Sequence, residues 1–195
     1  MEKPVNRSVF RLYIGRIYYI LKRYLKWHFG KTKYAKNREK NLQKFVASKH
    51  SSILLRQLKD VDMWMQHNKI KNLELAIARI DGLIVNPGET FSFWRTIGTT
   101  TKIKGYLEGM VLTQGSFKGG TGGGLCQLSN LIYWMTLHTP LNITERYRHS
   151  YDVFPDSKRT QPFGSGATVS YNYIDLQIYN ATNQPYQLHL YLVLV

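Results

Sequence analysis

Residues 119–135 read Gly-Gly-Thr-Gly-Gly-Gly-Leu-Cys-Gln-Leu-Ser-Asn-Leu-Ile-Tyr-Trp-Met, and this stretch decides how the chain is parsed. Five glycines in six positions, 119–124, let a backbone turn sharply and approach its neighbours closely. Helical periodicity starts at once, with Leu128, Leu131, Ile132 and Met135 on one face, and Thr139-Pro140 ends it. A glycine loop therefore feeds a helix, and Cys126 stands at the junction. Upstream the texture is helical. Residues 51–68 place Ile53, Leu54, Leu58, Val61 and Trp64 at three- and four-residue spacing, and residues 70–81 turn Leu73, Ile77 and Ile80 inward before Gly82. From Asn86-Pro87-Gly88, a turn signal, the chain changes to strand patterns. Residues 89–94 alternate, 105–118 read as strand and loop, and 143–149 as a strand. Candidates 167–173, 175–180 and 186–195 follow, the last apolar on both faces like a buried strand. The expected fold is α+β: N-terminal helices, then a mostly antiparallel strand-rich domain packed around one helix that starts at the single cysteine.

Composition bounds the rest. The chain has 195 residues, 43% hydrophobic and 20% charged, which suits one globular domain with a helical annex. Its formal charge of +15 is uneven: residues 1–50 hold 14 basic and 2 acidic residues. The expected division is a basic amphipathic region, 1–50, and a near-neutral α+β domain, 51–195, with core motifs at 82–180. One cysteine forbids an internal disulfide and any zinc site needing two thiolates. The six histidines lack ligand spacing, so no metal and no cofactor are expected. No apolar run approaches the roughly 20 residues that span a bilayer. Arg11, Arg16, Lys22, Arg23 and Lys26 interrupt the place where a signal peptide's apolar stretch would sit. These signals point to a cytoplasmic protein or one peripheral at the inner membrane face.

Residues 8–29 form a basic amphipathic pattern. Phe10, Tyr13, Ile14, Ile17, Ile20, Leu21 and Tyr24 gather on one arc, and the five basic residues just named on the other. Leu12 and Tyr19 break the segregation. Such a helix suits an anionic membrane surface, and the competing reading is a helix packed on the domain with its basic face in water; nucleic acid is not expected, because no recognised binding motif accompanies the charge. Residues 31–50, polar and Lys-rich, read as a linker or an exposed helix.

The chemistry centres on Cys126. The first N–H groups of a helix lack partners and carry positive potential, which favours thiolate and lowers the thiol pKa below about 8.5. Those N–H groups, Gln127's among them, also suit an oxyanion, while Gly122, Gly123 and Gly124 clear side-chain bulk from the sulfur. His149, at the end of strand 143–149, is the candidate base, with Asp152, Asp156, Asn172 or Asp175 to orient it. The competing reading is an inert packed cysteine beside glycines that serve close packing. No Lys-[Ser/Thr] pair follows the glycines and no G-x-G-x-x-G register fits, so no nucleotide loop is read here. His138 complements a helix C-terminus, and His28, His50, His67 and His189 are not expected to be catalytic.

Residues 82–180 resemble the VanW family. The matching segments are Pro87-Gly88-Glu89-Thr90-Phe91-Ser92-Phe93, Gly105-Tyr106, Gly122 through Asn130, Glu145-Arg146-Tyr147-Arg148-His149-Ser150, and Tyr171-Asn172-Tyr173-Ile174-Asp175-Leu176. The resemblance implies a bacterial protein associated with the cell wall and glycopeptide resistance. It also implies cysteine-dependent, L,D-transpeptidase-like acyl transfer on peptidoglycan stem peptides. Cys126 and His149 match the family's cysteine and histidine. Gly122, Gly123, Gly124, Gln127, Ser129, Arg146 and Ser150 are the matching candidates for substrate binding. An extracytoplasmic location follows if that activity holds. The alternative is a non-enzymatic accessory module at the membrane face that binds a cell-wall precursor or resistance proteins. The chain departs from many members at Gly166-Ala167-Thr168-Val169, where they carry Asp-Ala-Thr-Val.

Overall fold

A computed structural model of the chain describes residues 8–55, 62–113, 116–148 and 165–193. The first helix, α1 (Val9–Phe29), starts at Ser8, whose hydroxyl accepts the Arg11 N–H at 3.3 Å. The second, α2 (Met63–Ile80), is one helix where two were expected, because no Gly or Pro interrupts residues 63–80. Residues 51–55 are irregular, and Leu58 and Val61 lie outside the described residues.

Strands β1 (Ile84–Val85) and β2 (Thr90–Ser92) follow, then the short helix α3 (Phe93–Ile97) and a 3-10 turn at Lys102–Lys104. Strands β3 (Glu108–Thr113) and β4 (Ser116–Thr121) lead into helix α4 (Cys126–Thr136). The chain then supplies β5 (Asn142–Glu145), β6 (Gln177–Tyr179) and β7 (Tyr186–Gln187). The fold is α+β, and every pairing between these strands is antiparallel: β2-β6-β5, β1-β7 and β3-β4.

The core lies between the three-stranded sheet and two helices. Phe91 and Ile143 flank Ile178 across the sheet. Leu73, Ala76 and Ile80 face inward from α2, Leu128 and Ile132 from α4, each at helical spacing. The cysteine helix thus shares the core with α2.

Several expectations are corrected. Residues 33–39 are neither linker nor helix. They run beside β1 and β2, with Ala35 N–H donating to Thr90 O at 3.0 Å, Thr90 N–H to Lys33 O at 2.8 Å and Ile84 N–H to Asn37 O at 2.9 Å. The alternation at 89–94 switches to α3 after Ser92, whose hydroxyl caps it by accepting the Arg95 N–H. Gly119, Gly120 and Thr121 lie in β4 rather than in a loop. Among the described residues, 167–173 form only isolated bridges, Thr168 to Tyr147 and Ser170 to Ile174. The last strand shrinks to β7. Leu188 still exchanges backbone bonds with Gly82 and Leu83, and beyond it Leu190 is buried while Tyr191 and Val193 are exposed.

Helix α1 also turns an unexpected face inward. Arg23, assigned to the solvent side, donates two bonds to Glu145, whose Oε1 also accepts the Asp175 N–H at 3.2 Å. The Tyr24 and Tyr171 hydroxyls lie 2.6 Å apart, and Arg95 donates to Trp27 O at 3.1 Å while stacking on Tyr34.

Candidate functional site

The β3–β4 hairpin delivers the turn that starts α4. Gly122 and Gly124 adopt φ of +77° and +93°, which L side chains resist. Gly122 N–H donates to Leu107 O at 2.9 Å and Gly124 N–H to Met110 O at 3.0 Å, folding the turn back on β3. A Cβ on Gly123 would sit 2.1 Å from the Gly109 carbonyl carbon, and one on Gly124 2.2 Å from Lys69 Cγ. The glycines therefore pack the turn against β3 and α2; exposing the sulfur is not what they do here.

Asn72, fully buried on α2, completes this anchor. Its amide nitrogen donates to Leu107 O at 3.1 Å and Gly123 O at 2.9 Å, and its oxygen accepts the Leu107 N–H at 2.8 Å. Sequence reading missed it. The available signal was a polar residue in line with Ala76 and Ile80 and next to Leu73.

At the start of α4, Gln127 N–H donates to Gly124 O at 3.0 Å, so it is committed to the turn and is not the oxyanion donor expected. Among the described residues the Leu125 and Cys126 N–H groups have no backbone acceptor, and no side chain caps the helix. The unpaired donors lie one and two residues earlier than anticipated.

Cys126, Ser129 and Asn130 share one face of α4 and hold the main chain of 167–169. Cys126 Sγ lies 3.7 Å from Val169 O, Ser129 Oγ donates to Ala167 O at 2.6 Å, and Asn130 Oδ1 accepts the Ala167 N–H at 2.6 Å. Arg146 Nε donates to Gly166 O at 2.9 Å and its guanidinium stacks on Tyr133. Gln127 Nε2 donates to Ser52 Oγ at 2.9 Å and Ile53 O at 2.8 Å. Gly122, Gly123, Gly124, Gln127 and Ser129 adjoin Cys126 along the chain and Arg146 reaches Gly166 at the edge of the 167–169 segment, each bonded to or packed on the chain itself. His149, Ser150, Asp152 and Asp156 lie outside the described residues. The strand leading to His149 is described as far as Arg148, and its Tyr147 O accepts the Thr168 N–H at 2.8 Å, one residue from the Val169 that meets the thiol.

The thiol's surroundings oppose the expected lowering. Burial beneath 167–169 pushes the Cys126 thiol up from its ordinary value, and the nearby backbone of Val169 and Cys126 offsets only part of this. Alkylation by iodoacetamide, followed against pH, is expected to reach half its limiting rate above the midpoint of free cysteine measured alongside. At pH 7 it should run slower than free cysteine. A midpoint below that of free cysteine would restore the activated thiolate.

Of the orienting candidates, Asp175 is occupied. It accepts from Ser92 Oγ at 2.6 Å, Trp94 N–H at 3.0 Å and Gln177 Nε2 at 3.1 Å, holding the start of α3. Burial raises its pKa to about 6 against the opposing pull of Ser92, Trp94 and Arg23. Asn172 is fully buried, and neither atom of its amide has a partner among the described residues. His138 Nδ1 lies 2.9 Å from Trp134 O at the end of α4, and His189 pairs with Asp81 at 3.0 Å. No three His, Cys, Asp or Glu among the described residues are grouped to hold a metal ion. A cleft of about 510 Å³ lies away from the cysteine, lined by Lys33, Tyr34, Lys36, Arg38, Glu89 and Arg95 among others.

A family model described as VanW like protein matches residues 68–193. Vancomycin B-type resistance protein VanW of Enterococcus faecalis (strain ATCC 700802 / V583) is 42% identical over 127 residues, which is 65% of this chain and 46% of that protein. Uncharacterized protein YoaR of Bacillus subtilis (strain 168) is 36% identical over 114 residues, 58% of this chain and 36% of that one. The chain spans less than half the length of these curated relatives. No solved structure matches it.

Proposed function

This chain belongs to the VanW family, and from that premise we propose a glycopeptide-resistance-associated cell-wall protein in which Cys126 carries acyl transfer on peptidoglycan stem peptides. The observation that supports this reading is the α4 junction: a lone thiol beside the Leu125 and Cys126 N–H groups, which lack backbone acceptors among the described residues. Sulfur attacks a stem-peptide carbonyl and gives its proton to a base. The tetrahedral oxyanion takes the two N–H bonds. The C–N bond then breaks, the leaving amine takes the proton, and a thioester remains on Cys126. An amine from a second stem attacks the thioester, forms the new amide, and the freed sulfur regains a proton. A thiol held neutral at rest needs that base, and His149 is the residue proposed for it.

The test is turnover of tetrapeptide and pentapeptide stems with an added acceptor amine, read by chromatography of the released terminal residue. Cys126→Ala should abolish release, and His149→Ala should slow it by about a hundredfold or more. Release undiminished in Cys126→Ala would end the proposal.

A second reading, the non-enzymatic module, has its own observation. Cys126, Ser129 and Asn130 all grip the main chain of 167–169, as packing residues would. It requires that Cys126→Ser keep full biological activity and that Asn130→Ala lose it.

A further inference from the structure

Helix α1 meets the domain through Arg23, Tyr24 and Trp27, with Tyr19 adding a ring contact to Tyr173 at 5.7 Å. At about 100° per residue, the opposite face carries Phe10, Ile14, Ile17, Leu21, Leu25 and Phe29, a continuous stripe at three- and four-residue spacing. All six are exposed, from 40% at Ile17 to 83% at Phe29. Proteins rarely leave a contiguous apolar stripe of that length open to water without a use for it.

Charge identifies the occupant. Arg11, Lys22 and Lys26 follow one border of the stripe, and among the described residues none of them has a carboxylate partner. The sequence has no Asp or Glu from residue 3 to residue 38. Among the described residues no helix is long and apolar enough to cross a membrane. A second copy packed stripe to stripe would bring two sets of these cations together with no acid on α1 to offset them.

We infer that α1 is an interfacial helix that lays this stripe into the surface of an anionic bilayer while Arg11, Lys22 and Lys26 engage lipid phosphates. The orientation follows from the docking contacts: the Arg23–Trp27 face holds the domain, so the domain sits on the water side of the helix. The inference rests on α1 alone and is independent of Cys126.

The experiment is vesicle co-sedimentation of the full chain. Vesicles of phosphatidylcholine mixed with phosphatidylglycerol should bind it on the order of a hundredfold more tightly than phosphatidylcholine alone, and added salt should weaken binding. The double variant Leu21→Ser, Leu25→Ser should bind at least about tenfold more weakly. Its urea midpoint should stay unchanged, since both side chains are exposed. Cys126→Ala should bind like wild type, so failure of acyl transfer and failure of membrane binding are read separately. Equal affinity for both vesicles, no binding to either, or undiminished binding of the stripe variant would each overturn the inference. So would a dimer that the stripe variant dissolves in the absence of vesicle binding, which would make a second copy the occupant.

Discussion

Gly123→Ala is expected to destabilise the protein by about 3 kcal/mol or more, the upper range for overpacking a tight site. The added methyl would stand 2.1 Å from the Gly109 carbonyl carbon, 2.3 Å from its oxygen and 2.6 Å from Met110 N. These are backbone atoms in β3, which is pinned to β4 along its whole length, so they cannot move aside as a side chain would. The turn would have to lift off, breaking the Asn72 bond to Gly123 O and leaving a buried amide donor unpaired. Urea unfolding measures this directly, as a lower midpoint with an unchanged slope. Gly88→Ala is a useful comparison, since Gly88 has a positive φ, of 78°, and open space around it, whereas Gly123 has no positive φ and is crowded by backbone. It should cost only about 1 kcal/mol. A loss at Gly123 no larger than that at Gly88 would show that the turn yields to the added methyl and that the β3 contact costs little.

Arg23→Ala is expected to lose about 3 kcal/mol, because it leaves Glu145 largely buried without its cation. Burial lowers the guanidinium's affinity for its proton, and Glu145 and Asp175 more than compensate, holding Arg23 charged. The pair also ties α1 to β5 and, through the Asp175 N–H, to the segment entering β6. Replacing both partners, Arg23→Met with Glu145→Leu, should recover most of the loss, since no charge is then stranded. Thermal or urea unfolding of the single and double variants separates the outcomes. A single variant within about 0.5 kcal/mol of wild type would mean that the pair contributes no more than an exposed surface bridge does.

What was legible in the sequence was local. The glycine-to-helix switch at 119–135 located α4 at Cys126, and the alternation after Pro87 located β2, because turn chemistry and periodicity act over a few residues. The α1 pattern correctly gave a helix, but the face it turns to the domain depends on Glu145 and Tyr171, far away in sequence. The strand lengths at 167–173 and 186–195 were overread for a related reason. β propensity states what a segment tolerates, while a strand exists only where a partner edge is presented. Asn72 was passed over because a polar residue on a helix reads as surface until its backbone partners at 107 and 123 are known. The cover over the thiol was illegible in the same way. The helix N-terminus is readable from sequence, whereas the cover supplied by 167–169 comes from Ser129 and Asn130 gripping a segment nearly forty residues on. Gln127 was the right neighbourhood with the wrong donor, since the Gly124 turn consumes its N–H.

The central claim is that Cys126 becomes covalently acylated, and intact mass spectrometry tests it most directly. The full chain, incubated with tetrapeptide or pentapeptide stems and quenched in acid, should gain the mass of the stem's acyl portion. The adduct should be removed by neutral hydroxylamine, as a thioester is, and should be absent from Cys126→Ala. The stem that gives it identifies the donor. A wild-type mass unchanged with every stem, from protein whose urea midpoint shows it to be folded, would contradict the account and leave Cys126 as a packing residue beneath the 167–169 segment.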